Sequence, residues 1–275
     1  MRPRPQVMGV VNVTPDSFSD GGRFFNEAAA VSHARALIAA GTDILDIGGE
    51  STRPRSERVS ETEELDRVIP LIEAIRRESP IPISIDTVNP AVAQAAVAAG
   101  ASIWNDITAL RGLPLSEGGG SLAAAVELGC EVVLMHMQGE PATMQDDPRY
   151  GDVVAEVSSF LAERAEAAIA AGVAREKIWL DPGIGFGKRL EHNLALLRSL
   201  DRIASLGFPV LLGVSRKRMV QSIDPSAASA DDRLGGSLVA ALSGAAKGAA
   251  ALRVHDVRET VQALKVWGAI SSDRA

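Results

Sequence analysis

The chain has only one cysteine, Cys130, in 275 residues, so no intrachain disulfide can form. Cys130 sits in an apolar context just before a strand-like run, where a packing thiol is expected to be buried. A reducing, cytoplasmic setting is the expectation. An excess of positive charge is also missing. The formal net charge of −7 argues against broad nucleic-acid binding and points to small-molecule partners, with room for a local basic pocket that takes a small anion. No Pro/Ser-rich linker divides the chain. Met1 to Gln6 carries two arginines, but the apolar run behind it is short and ends at Asn12, so neither a signal peptide nor a membrane span is expected. No His/Cys/Asp cluster has zinc spacing, and no nucleophile stands beside its base. What the chain does have is 46% hydrophobic residues, enough for a large core, in a length that permits one large α/β barrel or two small domains.

One stretch, Leu180-Asp181-Pro182-Gly183-Ile184-Gly185-Phe186-Gly187-Lys188, joins an apolar run to a carboxylate, spaced glycines and a lysine. It is not a phosphate-binding loop, because Pro182 falls where the first glycine belongs and Arg189 where the hydroxyl belongs. Nor is it a dinucleotide fingerprint, whose third glycine would fall at Lys188. A glycine-rich turn with no ligand competes with a binding loop until the other strand ends are read.

Those strands recur with a pattern: an alanine-rich helix, a glycine, then a short apolar run. Gly41, Gly100, Gly129, Gly172, Gly207 and Gly248 each stand in this place, where a left-handed residue ends a helix. The strands expected are Val7 to Val11, Asp43 to Ile47, Ile81 to Ile85, Ser102 to Trp104, Glu131 to Met135, Ile178 to Leu180, Pro209 to Leu212 and Ala250 to Val254. Helices are expected at Glu27 to Ala40, Thr62 to Glu78, Pro90 to Ala99, Ser121 to Leu128, Asp152 to Ala171, Leu190 to Ser205, Asp232 to Lys247 and Val257 to Trp267. Eight βα units read as a single (β/α)8 TIM barrel spanning residues 1–275, with long βα loops 1 and 2 at Val13 to Phe25 and Gly48 to Ser60. An open doubly wound sheet competes, since closure leaves no mark on a sequence. Ser116 to Gly120 reads as a flexible surface linker, and Ser222 to Asp231 as similarly exposed.

In a barrel of this kind the strand ends share one rim. The polar residues there are Asn12, Glu50-Ser51-Thr52-Arg53, Asp86-Thr87, Asn105-Asp106, His136, Asp181, Ser215-Arg216-Lys217 and Arg253, His255, Asp256. Taken singly, Asp86 or Asp256 is as readily a helix cap, His136 a packed ring, and Arg216 and Arg218 solvated charges. Taken jointly they suit two chemistries. Asp86, Asn105, Asp181 and Lys217 match the edge of a flat heterocycle with amino and oxo groups. Asn12, Thr52, Arg53, Arg253 and His255 suit a phosphate-type group, with Arg253 and His255 at the start of the last helix. Any metal would be a hard ion such as Mg²⁺, sharing Asn12 with the ligand's phosphates.

The runs Asn12 to Gly22, Asp46 to Pro54, Ser84 to Thr87, Asn105-Asp106, Met135 to Gly139, Asp181 to Lys188, Ser215 to Lys217 and Arg253 to Asp256 resemble the dihydropteroate synthases, a pterin-binding TIM-barrel family, over essentially the whole chain. That resemblance implies a transferase joining 4-aminobenzoate to 6-hydroxymethyl-7,8-dihydropterin diphosphate in folate synthesis, in an SN1-like order. It implies catalytic roles for Asp20, Arg53, Asp181, Lys217, Arg253 and His255, and pterin contacts from Asp86, Asn105, Met135, Asp181 and Lys217. Diphosphate contacts fall on Asn12, Thr52, Arg53, Arg253 and His255, with Mg²⁺ on Asn12. Phe18, Thr52, Pro54, Phe186 and Ser215 match the 4-aminobenzoate and sulfonamide pocket. Sulfonamide sensitivity and a homodimer formed through the last helices are further expectations. Arg55, where the family often has a small residue, and the insertion Gly118 to Gly120 depart from the pattern without touching a motif position. The alternatives are a non-catalytic pterin-binding paralogue and a methyltetrahydrofolate-dependent methyltransferase domain, the latter disfavoured by the diphosphate residues.

Overall fold

A computed structural model describes residues 4–13, 23–50, 59–112 and 120–271 of the chain. Eight parallel strands form one sheet: β1 (Gln6–Asn12), β2 (Ile44–Gly48), β3 (Ile83–Asp86), β4 (Ile103–Asp106), β5 (Glu131–Met135), β6 (Ile178–Asp181), β7 (Leu211–Gly213) and β8 (Ala251–Val254). Their order is β6-β5-β4-β3-β2-β1-β8-β7, and a parallel bridge between Leu180 and Val210 brings the two edges together, so the sheet is a nearly closed (β/α)8 barrel. An open doubly wound sheet is thereby excluded.

Helices α1 (Arg23–Ala40), α2 (Glu61–Glu78), α3 (Pro90–Ala98), α4 (Ser121–Leu128), α5 (Val153–Ala171), α6 (Leu190–Arg198), α7 (Leu200–Ala204), α8 (Arg218–Ile223), α9 (Leu234–Ala246) and α10 (Val257–Ser271) surround the sheet. Their starts follow from local chemistry. Ser60 accepts from Glu63 N, Asn89 from Ala91 N ahead of Pro90, and Asp152 from Val154 N and Ala155 N. All six of the glycines expected to punctuate the helix-to-strand turns have positive φ, from 54° to 118°. One expectation was too coarse. Leu190 to Ser205 is two helices, because Ser199 leaves helical geometry at φ −119°, ψ 26°. The Ser222 to Asp231 stretch is exposed as expected apart from Ala227, while Met219 and Val220, just before it on α8, are buried against the barrel.

The strands read as uniformly apolar, but the barrel sorts them by alternate positions. Outward residues such as Val7, Leu45, Ile85, Trp104, Leu134 and Leu252 join the helices in the main core. Inward residues Met8, Ile44, Ile103, Val133, Leu211 and Ala251, with half-buried Trp179, form a separate plug. One pleat further along the same inward face come Asp46, Asp86, Asn105, Met135, Asp181 and Arg253. The lower barrel is therefore hydrophobic filling and the upper barrel is polar. The strands also run past their expected ends, so Asp86, Asn105 and Asp181 lie inside the ladder instead of in the loops beyond it. Each is held by inter-strand pairing: Asp86 opposite Asn105, and Asp181 opposite Met135.

Candidate active site

At the upper end of the barrel an acid in mid-strand organises the cations and amides around it. Asp46 is completely buried, accepts from Arg253 Nε at 2.6 Å through one oxygen, and from Asn105 Nδ2 at 3.3 Å through the other. Arg253 donates its Nη2 to Asp86 at 2.6 Å, leaving Nη1 uncommitted to either carboxylate. Burial pulls the guanidinium toward losing its proton, but Asp46 and Asp86 together outweigh this and hold it above its usual range. Burial pushes the Asp86 carboxyl up to about 7, with Arg253 pulling the other way and Asp46 adding to the rise.

On the next strands round, Asp181 is buried and accepts from the Gly183 amide at 2.7 Å. Its pKa is raised by burial, while that amide, Lys217 and Arg253 act to lower it. Burial brings Lys217 down to about 8, helped by Arg253 and opposed by Asp181 and Asp86. Its ammonium lies 4.2 Å from the centroid of the Phe186 ring, a cation–π contact. Below, Met135 packs with Val88, Ile107, Met137 and Met144, and Phe186 leans on this group. The result is a polarisable apolar wall next to two carboxylates, an amide and an ammonium, which is a suitable lining for a flat polar ring.

Ser215 and His255 meet on the β7–β8 side. Ser215 Oγ accepts from His255 N at 3.2 Å and lies 3.1 Å from His255 Nδ1. Burial, then the cations Arg253 and Arg216, hold the His255 imidazole down to about 3. The neutral ring with Nδ1 facing the hydroxyl is assigned its proton on Nε2, which makes it a donor for an incoming oxygen. Arg216 sits between Ser215 and Lys217 at φ +59°, tied by two bonds to Asp256 and by one to Asp231, so it is a structural clamp and not a solvated charge. His136 is the packed ring that its methionine neighbours suggested: buried, edge-on to Phe160, with Nδ1 facing Lys188.

Ten of the residues expected at the site lie on the rim described: Asn12, Asp86, Asn105, Met135, Asp181, Phe186, Ser215, Lys217, Arg253 and His255. Phe18, Asp20, Thr52, Arg53 and Pro54 fall outside the described residues, as do most of loops 1 and 2 and the segment 113–119. The heterocycle-reading and anion-holding sets are not separate, because Arg253 belongs to both through Asp86. Asp46 and Lys188 were not assigned roles from sequence. An acid between Leu45 and Ile47 in a strand buried on both faces was the available signal for Asp46, since such a charge demands a partner. Among the described residues, no group of three His, Cys, Asp or Glu could hold a metal. Asn12 offers one amide oxygen at the end of β1. That donor suits Mg²⁺ arriving with its phosphates, because Mg²⁺ keeps waters and takes few protein ligands.

The profile for the pterin binding enzymes matches residues 8–255. The dihydropteroate synthase of Escherichia coli K12 is 49% identical over 265 residues, 95% of this chain and 90% of its own length. Among solved structures, the Xanthomonas albilineans dihydropteroate synthase with 4-aminobenzoic acid superposes with a TM-score of 0.90 at 49% identity, covering 98% of this chain and 94% of that one. The Yersinia pestis dihydropteroate synthase in a sulfonamide drug complex gives 0.89 at 45% identity, covering 97% and 94%.

Proposed function

Because the chain belongs to the pterin binding enzymes and, within them, to the dihydropteroate synthases, transferases that join a pterin diphosphate to 4-aminobenzoate, we propose how its own residues divide that reaction. The observation that carries the assignment is the layer of Asp86, Asn105 and Asp181 set one pleat above the apolar plug, joined by Lys217 from the turn between β7 and α8. Asp86 and Asp181 accept from the pterin N–H and NH₂ groups, Asn105 pairs with the ring edge, and Lys217 donates to its oxo group or ring nitrogen. Met135 and the methionines beside it cover the ring.

Diphosphate departure needs anion stabilisation more than a base. Arg253, fixed by Asp46 and Asp86, presents Nη1 to the leaving group, and His255 presents its Nε2 proton near the start of α10. Arg53, Thr52 and Asp20 take part from loops 1 and 2. When bound at Asn12, Mg²⁺ supplies further positive charge to the phosphate oxygens. Asp181, beside the electron-rich ring, tolerates the cation that develops at the methylene carbon, in keeping with an SN1-like order. The arylamine then attacks from the side walled by Phe186 and Ser215, the pocket to which the family resemblance also assigns Phe18 and Pro54.

The deciding assay incubates the chain with the pterin diphosphate, 4-aminobenzoate and Mg²⁺ and follows diphosphate. Release that depends on the arylamine supports the synthase; tight pterin binding without release would instead identify a non-catalytic paralogue. A methyltransferase would take methyltetrahydrofolate and release no diphosphate.

No helix among the described residues is long and apolar enough to cross a membrane. The buried thiol of Cys130 fits a reducing cytoplasm. A homodimer through α9 and α10 is supported by Val239, Val266 and Ile270, which are 70%, 54% and 78% exposed there.

A further inference from the structure

Lys188 is 3% exposed at the end of the β6–α6 loop, and no carboxylate is among its hydrogen-bond partners. Its ammonium faces Nδ1 of His136 at 2.9 Å and the carbonyls of His136, Gly183 and Phe186 at 3.2, 3.0 and 2.9 Å. Three N–H bonds are thus shared among four neutral acceptors. A buried cation satisfied only by neutral groups is costly, and burial brings this one down to about 7. The His136 ring can accept because burial, then the nearby Lys188 charge, keeps it unprotonated. What the cation gathers is two loops. His136 starts the segment after β5, while Gly183 and Phe186 belong to the segment after β6, whose Phe186 ring stands against the Lys217 ammonium.

The two loops touch backbone to backbone. A Cβ on Gly183 would lie 2.0 Å from the His136 carbonyl oxygen, and one on Gly187 2.3 Å from that of Gln138. Both glycines have positive φ. The carbonyls of His136, Gly183 and Phe186 therefore converge, and a positive group among them relieves their mutual repulsion.

We propose that Lys188 is a positioning residue for the arylamine site: by drawing the Phe186 and Gly183 carbonyls toward His136, it fixes the Phe186 ring where the attacking amine must lie. The inference rests on the reading of Phe186 as part of the 4-aminobenzoate wall. It involves no contact between Lys188 and either substrate.

The test compares Lys188→Met, Phe186→Ala and the double variant by steady-state kinetics on the full chain, with pterin affinity measured separately by calorimetry. Misplacing the wall raises KM for 4-aminobenzoate about tenfold in Lys188→Met, whereas pterin affinity, which rests on strand-borne Asp86, Asn105 and Asp181 and on Lys217 at the start of α8, stays within about twofold. In the Phe186→Ala background, adding Lys188→Met raises that KM by less than about twofold more, because the two act as one unit. Lys188→Gln, whose amide keeps two donors, gives an intermediate KM and takes the place of the methionine variant if that chain does not fold. An unchanged KM in Lys188→Met beside a raised KM in Phe186→Ala overturns the inference alone, as do fully additive effects. An unchanged KM in Phe186→Ala overturns it together with the wall assignment beneath it.

Discussion

Asp86 and Lys217 carry opposite charges that burial moves toward neutrality, the carboxyl up to about 7 and the ammonium down to about 8. On the proposed reading, pterin binding needs Asp86 ionised, so affinity is expected to rise as pH climbs through about 7; it needs Lys217 protonated, so affinity is expected to fall as pH passes about 8. Calorimetry with a pterin lacking the diphosphate is expected to trace a bell between these limits, and Lys217→Met is expected to lose the alkaline limb. A flat profile from pH 6 to pH 9 would remove both groups from the pterin edge. Asp181→Asn and Lys217→Ala are each expected to weaken the same ligand by about 1 to 3 kcal/mol, because a buried ring polar group is left unpaired. Asp46 belongs to a different class. It is fully buried and reaches the ligand only through Arg253 and Asn105, so Asp46→Ala leaves an Arg253 bond unmade and costs about 3 kcal/mol of folding stability in urea titrations. Loss of turnover without loss of stability in that variant would contradict the support role. Where the wall is concerned, sulfonamide inhibition is expected to be competitive with 4-aminobenzoate. Non-competitive behaviour would separate the drug from Phe186 and Ser215.

The β6–α6 segment shows how an element converts a glycine-rich sequence into a site. Its glycines do not cradle phosphate; they let one loop lie on the backbone of another. Gly183→Ala combines a left-handed φ of 65° with a Cβ inside the His136 carbonyl oxygen, so it is expected to cost about 2 to 4 kcal/mol in urea unfolding. A stability within experimental error of the parent would show that the loop shifts freely. The helix ends and strand positions were legible beforehand because they depend on local chemistry: glycine after helix, apolar run after glycine. Strand ends were read one or two residues short at Asp86 and Asn105, since polar residues resemble loop starts until the barrel's polar upper layer is known. The break at Ser199 was not legible, for nothing around it is a breaker as strong as proline, and α8, although Pro225 follows it, spans only 6 residues and is too short to show a period. The loop-spanning role of Lys188 depends on 52 residues of separation from His136, which no local pattern encodes.

At the scale of the molecule, the alternation of inward and outward residues links core to site. The same pleat that places Met8, Ile44 and Leu211 in the plug sets Asp86, Asn105 and Asp181 above it, so the barrel's stability and its ligand geometry share one framework. Sequence carried the rim as a set of residues, but the Asp46–Arg253–Asp86 connection that binds the rim together joins positions 207 and 167 apart in the chain. The outer helices are less self-sufficient. On α10, Val266 and Ile270 are four residues apart and so share a face, and they line a groove with Leu238 and Leu242 of α9. Of the four large apolar side chains more than half exposed among the described residues, three lie here and the fourth, Ile223, on α8. Coverage by the same face of a second copy, as proposed, would satisfy the three with one self-complementary contact. Sedimentation is therefore expected to give twice the 28.8 kDa chain mass, and Val266→Asp with Ile270→Asp is expected to give the single chain, because four carboxylates would meet across the two-fold axis. Their distance from the rim leaves pterin affinity unchanged in the monomer. A parent chain that sediments at 28.8 kDa, or a double variant that remains paired, would rule this face out as the interface.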